Sequence, residues 1–245
     1  MKIGILVTGH IDEPHFEKYV SYAHMFKQLF KKVNAKLKYE VFDVIDGQWP
    51  EYIDSCDGWL ITGSASGVYE NTPWMQQLKK WIVHAHEKGI PMVGICFGHQ
   101  IIADVFAGKV ERFNGGWSLG PQSYAMKDDA ILGKANITLN AVHQDQVIEK
   151  PINAQCLASS DFCEYAILMY GDSILTIQAH PEFTNEYEAD LLELHKGQAI
   201  ALEPSQQALS LLQPNPPKLD ELIVARWMLS VLQGGPVFRP GNTLV

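Results

Sequence analysis

Short apolar runs, each too brief for a helix, alternate along this chain with stretches whose apolar positions recur at helical spacing. That alternation constrains the fold more than any other feature, because strand–helix–strand units close around a parallel sheet buried on both faces. Residues 3–7, Ile-Gly-Ile-Leu-Val, read as a first buried strand. Tyr19, Ala23, Phe26, Phe30 and Val33 then recur as one amphipathic helix. Leu37, Tyr39 and Val41 mark a second strand before a turn at Asp46-Gly47, and residues 59–61 a third. Thr72-Pro73 opens the next helix, with threonine expected as N-cap and proline at the first helical position. It runs through Leu78, Trp81, Ile82 and Ala85 to a stop at Gly89. Residues 91–95 form a fourth strand, followed at once by a helix over Ile101, Ile102, Val105 and Phe106.

From 109 to 169 the pattern changes to short alternating segments (123–126, 137–142 and 165–169), expected to pair in antiparallel or mixed fashion. Residues 174–177 look like a return to the central sheet. Four prolines between 204 and 218 suggest a linker, followed by an apolar helix over 219–232 and a Gly/Pro tail. The chain of 245 residues is thus expected to hold one large-core domain over 1–203, with 204–245 as linker and C-terminal helix packed on it.

With 47% hydrophobic and 19% charged residues, the chain is neither disordered nor fibrous. Its 19 Lys and Arg against 28 Asp and Glu give a net charge of −9, without a basic run, which argues against nucleic acid or a membrane surface as partner. Four cysteines without a C-x-x-C pair make neither a disulfide framework nor a zinc ribbon. The first residues lack the form of a signal peptide, so a cytoplasmic protein is expected.

Gly94-Ile95-Cys96-Phe97-Gly98 falls where the fourth strand ends and a helix begins. This is the pattern of a nucleophile elbow with cysteine in place of serine. Flanking glycines relieve the crowding of the sharp turn, and a helix start favours negative charge on the sulfur. Cys56, Cys156 and Cys163 lack this framing and read as space-filling thiols. A cysteine nucleophile needs a base, and the base an orienting group. His180-Pro181-Glu182 supplies both, since residues two apart in extended backbone project to one side. His84 and His86 fall on different helix faces; His10, His15, His24 and His195 have no partner at ligand spacing. His99 is expected to pack against the helix start, and no metal site is read.

Together these residues resemble the class I glutamine amidotransferases, in which Cys, His and Glu follow in that order. Gly94-Ile95-Cys96-Phe97-Gly98-His99-Gln100 is similar to the family's G-x-C-x-G-x-Q, and Gln178-Ala179-His180-Pro181-Glu182-Phe183 to its second signature. The resemblance spans residues 1–195. It implies an α/β, flavodoxin-like fold with an open, mostly parallel sheet, helices on both faces, a small antiparallel or mixed region and a C-terminal helical extension. It also implies that Cys96 attacks glutamine or another γ-glutamyl small molecule, that His180 transfers protons and that Glu182 orients His180. Glutamate and ammonia would leave through a thioester.

The oxyanion donors implied are the backbone N–H groups of Phe97 and of Ser64, in a loop where the family commonly has Gly-Gly-Pro. Gly63 lies beside them, and Gln100 matches a substrate-contacting glutamine. Val142-His143-Gln144-Asp145 resembles the Ser-His-Gly-Asp segment lining the substrate's α-amino and carboxylate end, with Gln144 in place of glycine. Residues 117–120 are expected to border the same pocket. No cofactor is implied. Neither an ATP-binding P-loop nor a Ser-Gly-Gly-x-Asp-Ser loop is present, so a separate acceptor or synthetase subunit is the implied partner. Ile61-Thr62-Gly63-Ser64 and Val68-Tyr69-Glu70 resemble stand-alone members related to the glutaminase half of GMP synthase. Two alternatives stay open: hydrolysis of γ-glutamyl peptides, which needs the same groups, and a non-catalytic regulatory or binding protein on this fold.

Overall fold

The computed structural model describes residues 1–13, 15–34, 36–128 and 131–235. Strands β1 (Lys2–Val7), β2 (Lys38–Asp43), β3 (Gly58–Ile61) and β4 (Met92–Ile95) alternate with helices α1 (Phe16–Tyr19), α2 (Tyr22–Lys31) and α3 (Pro73–Glu87). After α4 (Phe97–Val105) come β5 (Lys109–Arg112), β6 (Ser118–Met126), β7 (Asn136–His143), β8 (Asp145–Glu149), β9 (Ala154–Ser159) and β10 (Ile167–Tyr170). Strand β11 (Ile174–Ile177) then precedes α5 (Asn185–His195), α6 (Leu202–Leu212) and α7 (Glu221–Leu232).

One sheet takes nine of the strands in the order β2-β1-β3-β4-β11-β10-β9-β6-β7. Its first five are mutually parallel and its last four run antiparallel. The inner parallel strands β1, β3, β4 and β11 are mostly apolar because alternate side chains enter two different cores, whereas the edge strand β2 alternates. Ile3, Ile5 and Val7 of β1, Leu60 of β3, Val93 and Ile95 of β4, and Leu175 and Ile177 of β11 fill one core; α2 and α7 close it with Phe26, Phe30, Trp227 and Met228. Leu6, Trp59, Ile61, Met92 and Ile174 fill the other, under α3 and α4 with Leu78, Ile82, Phe97 and Ile101. Helices therefore cover both faces. Strands β5 and β8 pair apart, as an antiparallel ribbon.

Three local expectations are corrected. The helix expected from Tyr19 to Val33 is two helices, because Val20 adopts φ +67° and Ser21 starts afresh, its side chain accepting from the His24 N–H. Thr72 has the extended backbone of an N-cap, but its hydroxyl makes no capping bond. The expected linker is helical over Leu202–Leu212, since Pro204 sits in the first turn, where its missing N–H costs nothing. Ala208 and Leu212 pack there against Leu119, Leu192 and Ile200.

At the start of α7, Asp220 Oδ2 accepts from the Thr138 N–H at 2.9 Å, tying the helix to β7. The Gly/Pro tail, 236–245, lies outside the described residues. Among the described residues no helix is long and apolar enough to cross a membrane.

Candidate active site

The carboxyl ends of β3, β4 and β11 lie side by side, and in open α/β sheets such ends form the ligand crevice. Cys96 stands between β4 and α4 at φ +51°, ψ −101°, a conformation that costs a non-glycine residue about 1–3 kcal/mol. Its N–H donates to Ile177 O at 2.8 Å, so the elbow is fastened to β11. The glycines beside it answer to close approach: a Cβ on Gly94 would lie 2.5 Å from Gly98 O, and one on Gly98 2.5 Å from Ile61 O. Helix α4 is thereby pressed onto β3 and β4, with Cys96 at its first turn.

Beyond β11 the chain bends at Gln178 and Ala179 and turns at Pro181-Glu182, where the Phe183 N–H donates to His180 O at 3.3 Å, so a turn, and not the expected extended backbone, brings His180 and Glu182 together. His180 Nδ1 lies 2.8 Å from Glu182 Oε1, and both side chains are buried. This bond puts the proton on Nδ1. The His180 N–H donates to Asn140 O at 2.8 Å, and its ring stacks on Phe183 at 3.9 Å between centroids, 7° from parallel. The imidazole is thus held in position and in plane. Burial alone would lower its pKa, but the Glu182 carboxylate and the Cys96 sulfur outweigh that and raise it.

The 62–67 loop faces this pair. A Cβ on Gly63 would lie 2.9 Å from His180 Cε1, so only glycine fits against the imidazole. The Thr8 hydroxyl, 2.9 Å from Thr62 O and 3.1 Å from Gly63 O, anchors the loop to the end of β1. Glu70 Oε1 accepts from the Gly67 N–H at 2.7 Å and closes its far side. Among the described residues, no backbone carbonyl accepts from the N–H of Ser64 or Phe97.

A cavity of about 420 Å³ opens over Cys96. Of the site residues expected from sequence, Gly63, Ser64, Cys96, Gln100, His143, Gln144, Asp145 and His180 line it. Glu182 and Phe97 stand behind its wall, Glu182 against His180 and Phe97 packed on Trp74. Of residues 117–120 only Trp117 lines the cavity; Leu119 joins a separate apolar cluster, and the Gly120 N–H donates to Glu188. His143 and His99 are both pushed down to about 3 by burial, with a neighbouring histidine adding to the shift, so both are neutral. His99 packs against β11, its Nδ1 2.8 Å from the Thr176 hydroxyl.

Several residues of the site escaped the sequence. Gln178 Nε2 lies 3.7 Å from Cys96 Sγ, while Gln178 Oε1 accepts from Gln100 Nε2 at 3.2 Å. The second signature included Gln178, but nothing local in the sequence assigned it a role. Arg112, Tyr69, Glu70, His10, Asp12, Tyr22, His195 and Ile200 also line the cavity. Two of those histidines find partners distant in sequence: His195 Nε2 lies 3.0 Å from Asp12, and His10 Nε2 2.8 Å from Asp43. Asp46 completes with His10 and Asp43 a group whose ligand atoms lie within 4.8 Å of one another, with His10 and Asp46 exposed.

The remaining thiols are free. Burial pushes Cys56 up to about 11 and Cys163 up to about 12, and it raises Cys156. All three hold their protons at neutral pH.

Residues 15–195 match the family model of the class-I glutamine amidotransferases. The chain is 32% identical over 186 residues to gamma-glutamyl peptidase 3 of Arabidopsis thaliana, covering 71% of this chain and 74% of that protein. It is 38% identical over 102 residues to the glutamine-hydrolyzing GMP synthase subunit of Methanosphaera stadtmanae, covering 38% of this chain and 52% of that one. A crystal structure of a glutamine amidotransferase from Thermotoga maritima superposes with a TM-score of 0.69 at 20% identity, over 94% of this chain and 96% of that one, and so shares the fold.

Proposed function

The chain belongs to the class-I glutamine amidotransferase family, and from that membership we propose that it hydrolyses γ-glutamyl amides through a cysteine thioester. The observation that carries this reading is the buried His180–Glu182 pair, 2.8 Å apart, facing a cysteine held at positive φ on a helix start. Cys96 Sγ attacks the γ-carbonyl carbon, and its proton passes to His180 Nε2. The carbonyl oxygen becomes an oxyanion, met by the unengaged N–H groups of Ser64 and Phe97. As the C–N bond breaks, His180 gives its proton to the departing amine. A water then attacks the thioester, losing its proton to the same imidazole, and glutamate leaves with Cys96 restored. Glu182 keeps Nδ1 protonated throughout and stabilises the imidazolium.

The cavity of about 420 Å³ that Cys96 lines is also walled by Tyr22, Trp117, Leu191, His195 and Ile200. That space suits a leaving group larger than ammonia. It favours γ-glutamyl peptides over glutamine, in keeping with the relative named a gamma-glutamyl peptidase. Such hydrolysis calls for no acceptor subunit. Release of glutamate from glutamine and from a panel of γ-glutamyl dipeptides, by wild type and Cys96→Ala, tests the reading. Wild type is expected to release glutamate faster from at least one dipeptide than from glutamine, and the variant from none. A Cys96→Ala protein with wild-type turnover would exclude the thioester.

A further inference from the structure

Three contacts hold the His180 ring, and one of them depends on its charge. Glu182 Oε1 meets Nδ1 at 2.8 Å, and Gly63 closes on Cε1 so tightly that a Cβ there would lie 2.9 Å away. The third contact is Phe183, whose ring lies 3.9 Å from the imidazole, centroid to centroid, and 7° from parallel. Two uncharged aromatic rings avoid that arrangement, because it sets the negative face of one against the negative face of the other. They settle offset or edge-on, with centroids about 4.5–7 Å apart. The other rings around Phe183 do so: Tyr187 meets it T-shaped at 4.5 Å and 66°, and Tyr22 lies 6.0 Å away at 29°. A cation has the opposite preference and is drawn to the face of the ring. The His180–Phe183 geometry therefore suits an imidazolium better than a neutral imidazole.

Phe183 is buried in a cluster with Ile11, Met25, Tyr187 and Leu191. Asn140 ties both stacked residues to β7: its carbonyl accepts from the His180 N–H at 2.8 Å, and its Nδ2 donates to Phe183 O at 3.1 Å. The two rings thus share one turn and one anchor. The titratable groups around the imidazole are Glu182 on that turn, Cys96 at the start of α4, His143 at the end of β7 and Glu188 on α5. Burial lowers the His180 pKa, Glu182 and Cys96 raise it, and His143 is neutral.

We propose that Phe183 is a positioning residue whose ring face stabilises the imidazolium formed when the Cys96 proton passes to His180 Nε2. The assignment rests on the γ-glutamyl hydrolase reading above. In that transfer an S–H bond breaks, an N–H bond forms, and a thiolate and an imidazolium replace two neutral groups. His180 is buried, so little water reaches the new cation. Its charge is met instead by Glu182 at Nδ1 and by Phe183 on the ring face. Phe183 thereby favours the charge-separated pair that attacks the γ-carbonyl, and it keeps a proton ready for the departing amine.

The pH dependence of kcat/KM for the best γ-glutamyl substrate tests this, because its alkaline limb reports loss of the imidazolium in the free enzyme. Phe183→Leu keeps an apolar side chain but removes the face, and the limb should move to lower pH by about 0.5–1.5. Pentafluorophenylalanine in place of Phe183 keeps the ring's shape and makes its face positive, so the limb should move further. A looser fold alone would lower kcat and leave the limb where it is. A limb that stays at the wild-type pH in the fluorinated protein overturns the assignment, whether or not Phe183→Leu folds. NMR of isotope-labelled histidine follows the His180 Cε1–H through the same range, its signal identified by its loss in His180→Ala. A wild-type protein that hydrolyses neither glutamine nor any γ-glutamyl dipeptide overturns the hydrolase reading instead. An NMR titration that fluorination leaves unmoved overturns the role of the stack, whatever the activity.

Discussion

The two halves of the sheet do different work and are written differently in the sequence. In the parallel half, the inner strands β1, β3, β4 and β11 are buried on both faces and end together, and their backbones set Cys96, the 62–67 loop and His180. In the antiparallel half β10 is buried throughout but β6, β7 and β9 keep exposed positions, as do β5 and β8 of the ribbon, and this region supplies Arg112, His143, Gln144 and Asp145 to the cavity wall. On the proposed mechanism the bond-making groups sit on elements packed against two cores, whereas the groups expected to hold the substrate sit on or beside the β5–β8 ribbon. Substitutions in the first half should appear in kcat, and those in the second in KM and substrate preference.

The largest effect should come from His180. Its removal eliminates proton transfer, and His180→Ala should lower kcat on the order of 10⁴-fold. Glu182→Gln keeps a hydrogen-bond acceptor at Nδ1 but loses the charge that raises the histidine pKa, so a drop of about 10²-fold is expected. Steady-state kinetics with the best dipeptide measures both. An active His180→Ala enzyme would break the division between the halves at its strongest point.

How legible each half was follows from the same physics. The four inner parallel strands stood out as apolar runs and β2 as an alternating one, and the Cys96 elbow and the His180–Glu182 pair were visible because each is local. β5, β8 and β9 were not read: β5 is Lys-Val-Glu-Arg with Val110 alone buried, too short to show a period. Arg112 and Gln144 meet across 32 residues through strand pairing, and no spacing rule anticipates that. The proline-rich 204–218 segment misled for a different reason, because a proline in a helix's first turn looks the same in sequence as one in a linker. Glu188 gave no signal either, since burial alone sets its chemistry.

That residue ties the halves together and yields the next effect in size. On α5, Glu188 is buried, and its Oε1 accepts from the N–H of Gly120 in β6 at 2.8 Å. Burial pushes its carboxyl from 4.5 up to about 8, although the Gly120 N–H and the charge on His180 work against the rise. The folded chain holds this proton where the unfolded chain gives it up. The stability it contributes is therefore full below about pH 4.5 and is lost as pH climbs to about 8. At about 1.4 kcal/mol per unit, the loss is on the order of a few kcal/mol. Glu188→Gln has no proton to lose, so its Tm should gain on that of wild type between pH 5 and 8. Parallel melting curves would show that Glu188 is ionised in the fold and that the seam is held by charge.

The smallest effect sharpens the comparison most, because Gln178 touches both halves. Its Nε2 reaches Cys96 Sγ at 3.7 Å, a long contact to a weak acceptor. Its Oε1 accepts from Gln100 Nε2 at 3.2 Å, and Gln100 Nε2 also donates to Asp145 O at 2.9 Å. If Gln178 serves the nucleophile, Gln178→Ala alters the sulfur's surroundings and leaves the groups expected to hold the substrate in place. Gln100 keeps its shorter bond to Asp145 in that variant, so the ribbon retains its tie to α4. One neutral hydrogen bond is worth about 0.5–1.5 kcal/mol, which sets the expected fall in kcat at roughly two- to tenfold. KM should stay within about twofold of wild type, less than the loss of even one such bond to substrate would produce. A raised KM with kcat intact would instead place Gln178 with the recognition groups, and the boundary between the two halves would then run between Gln178 and His180.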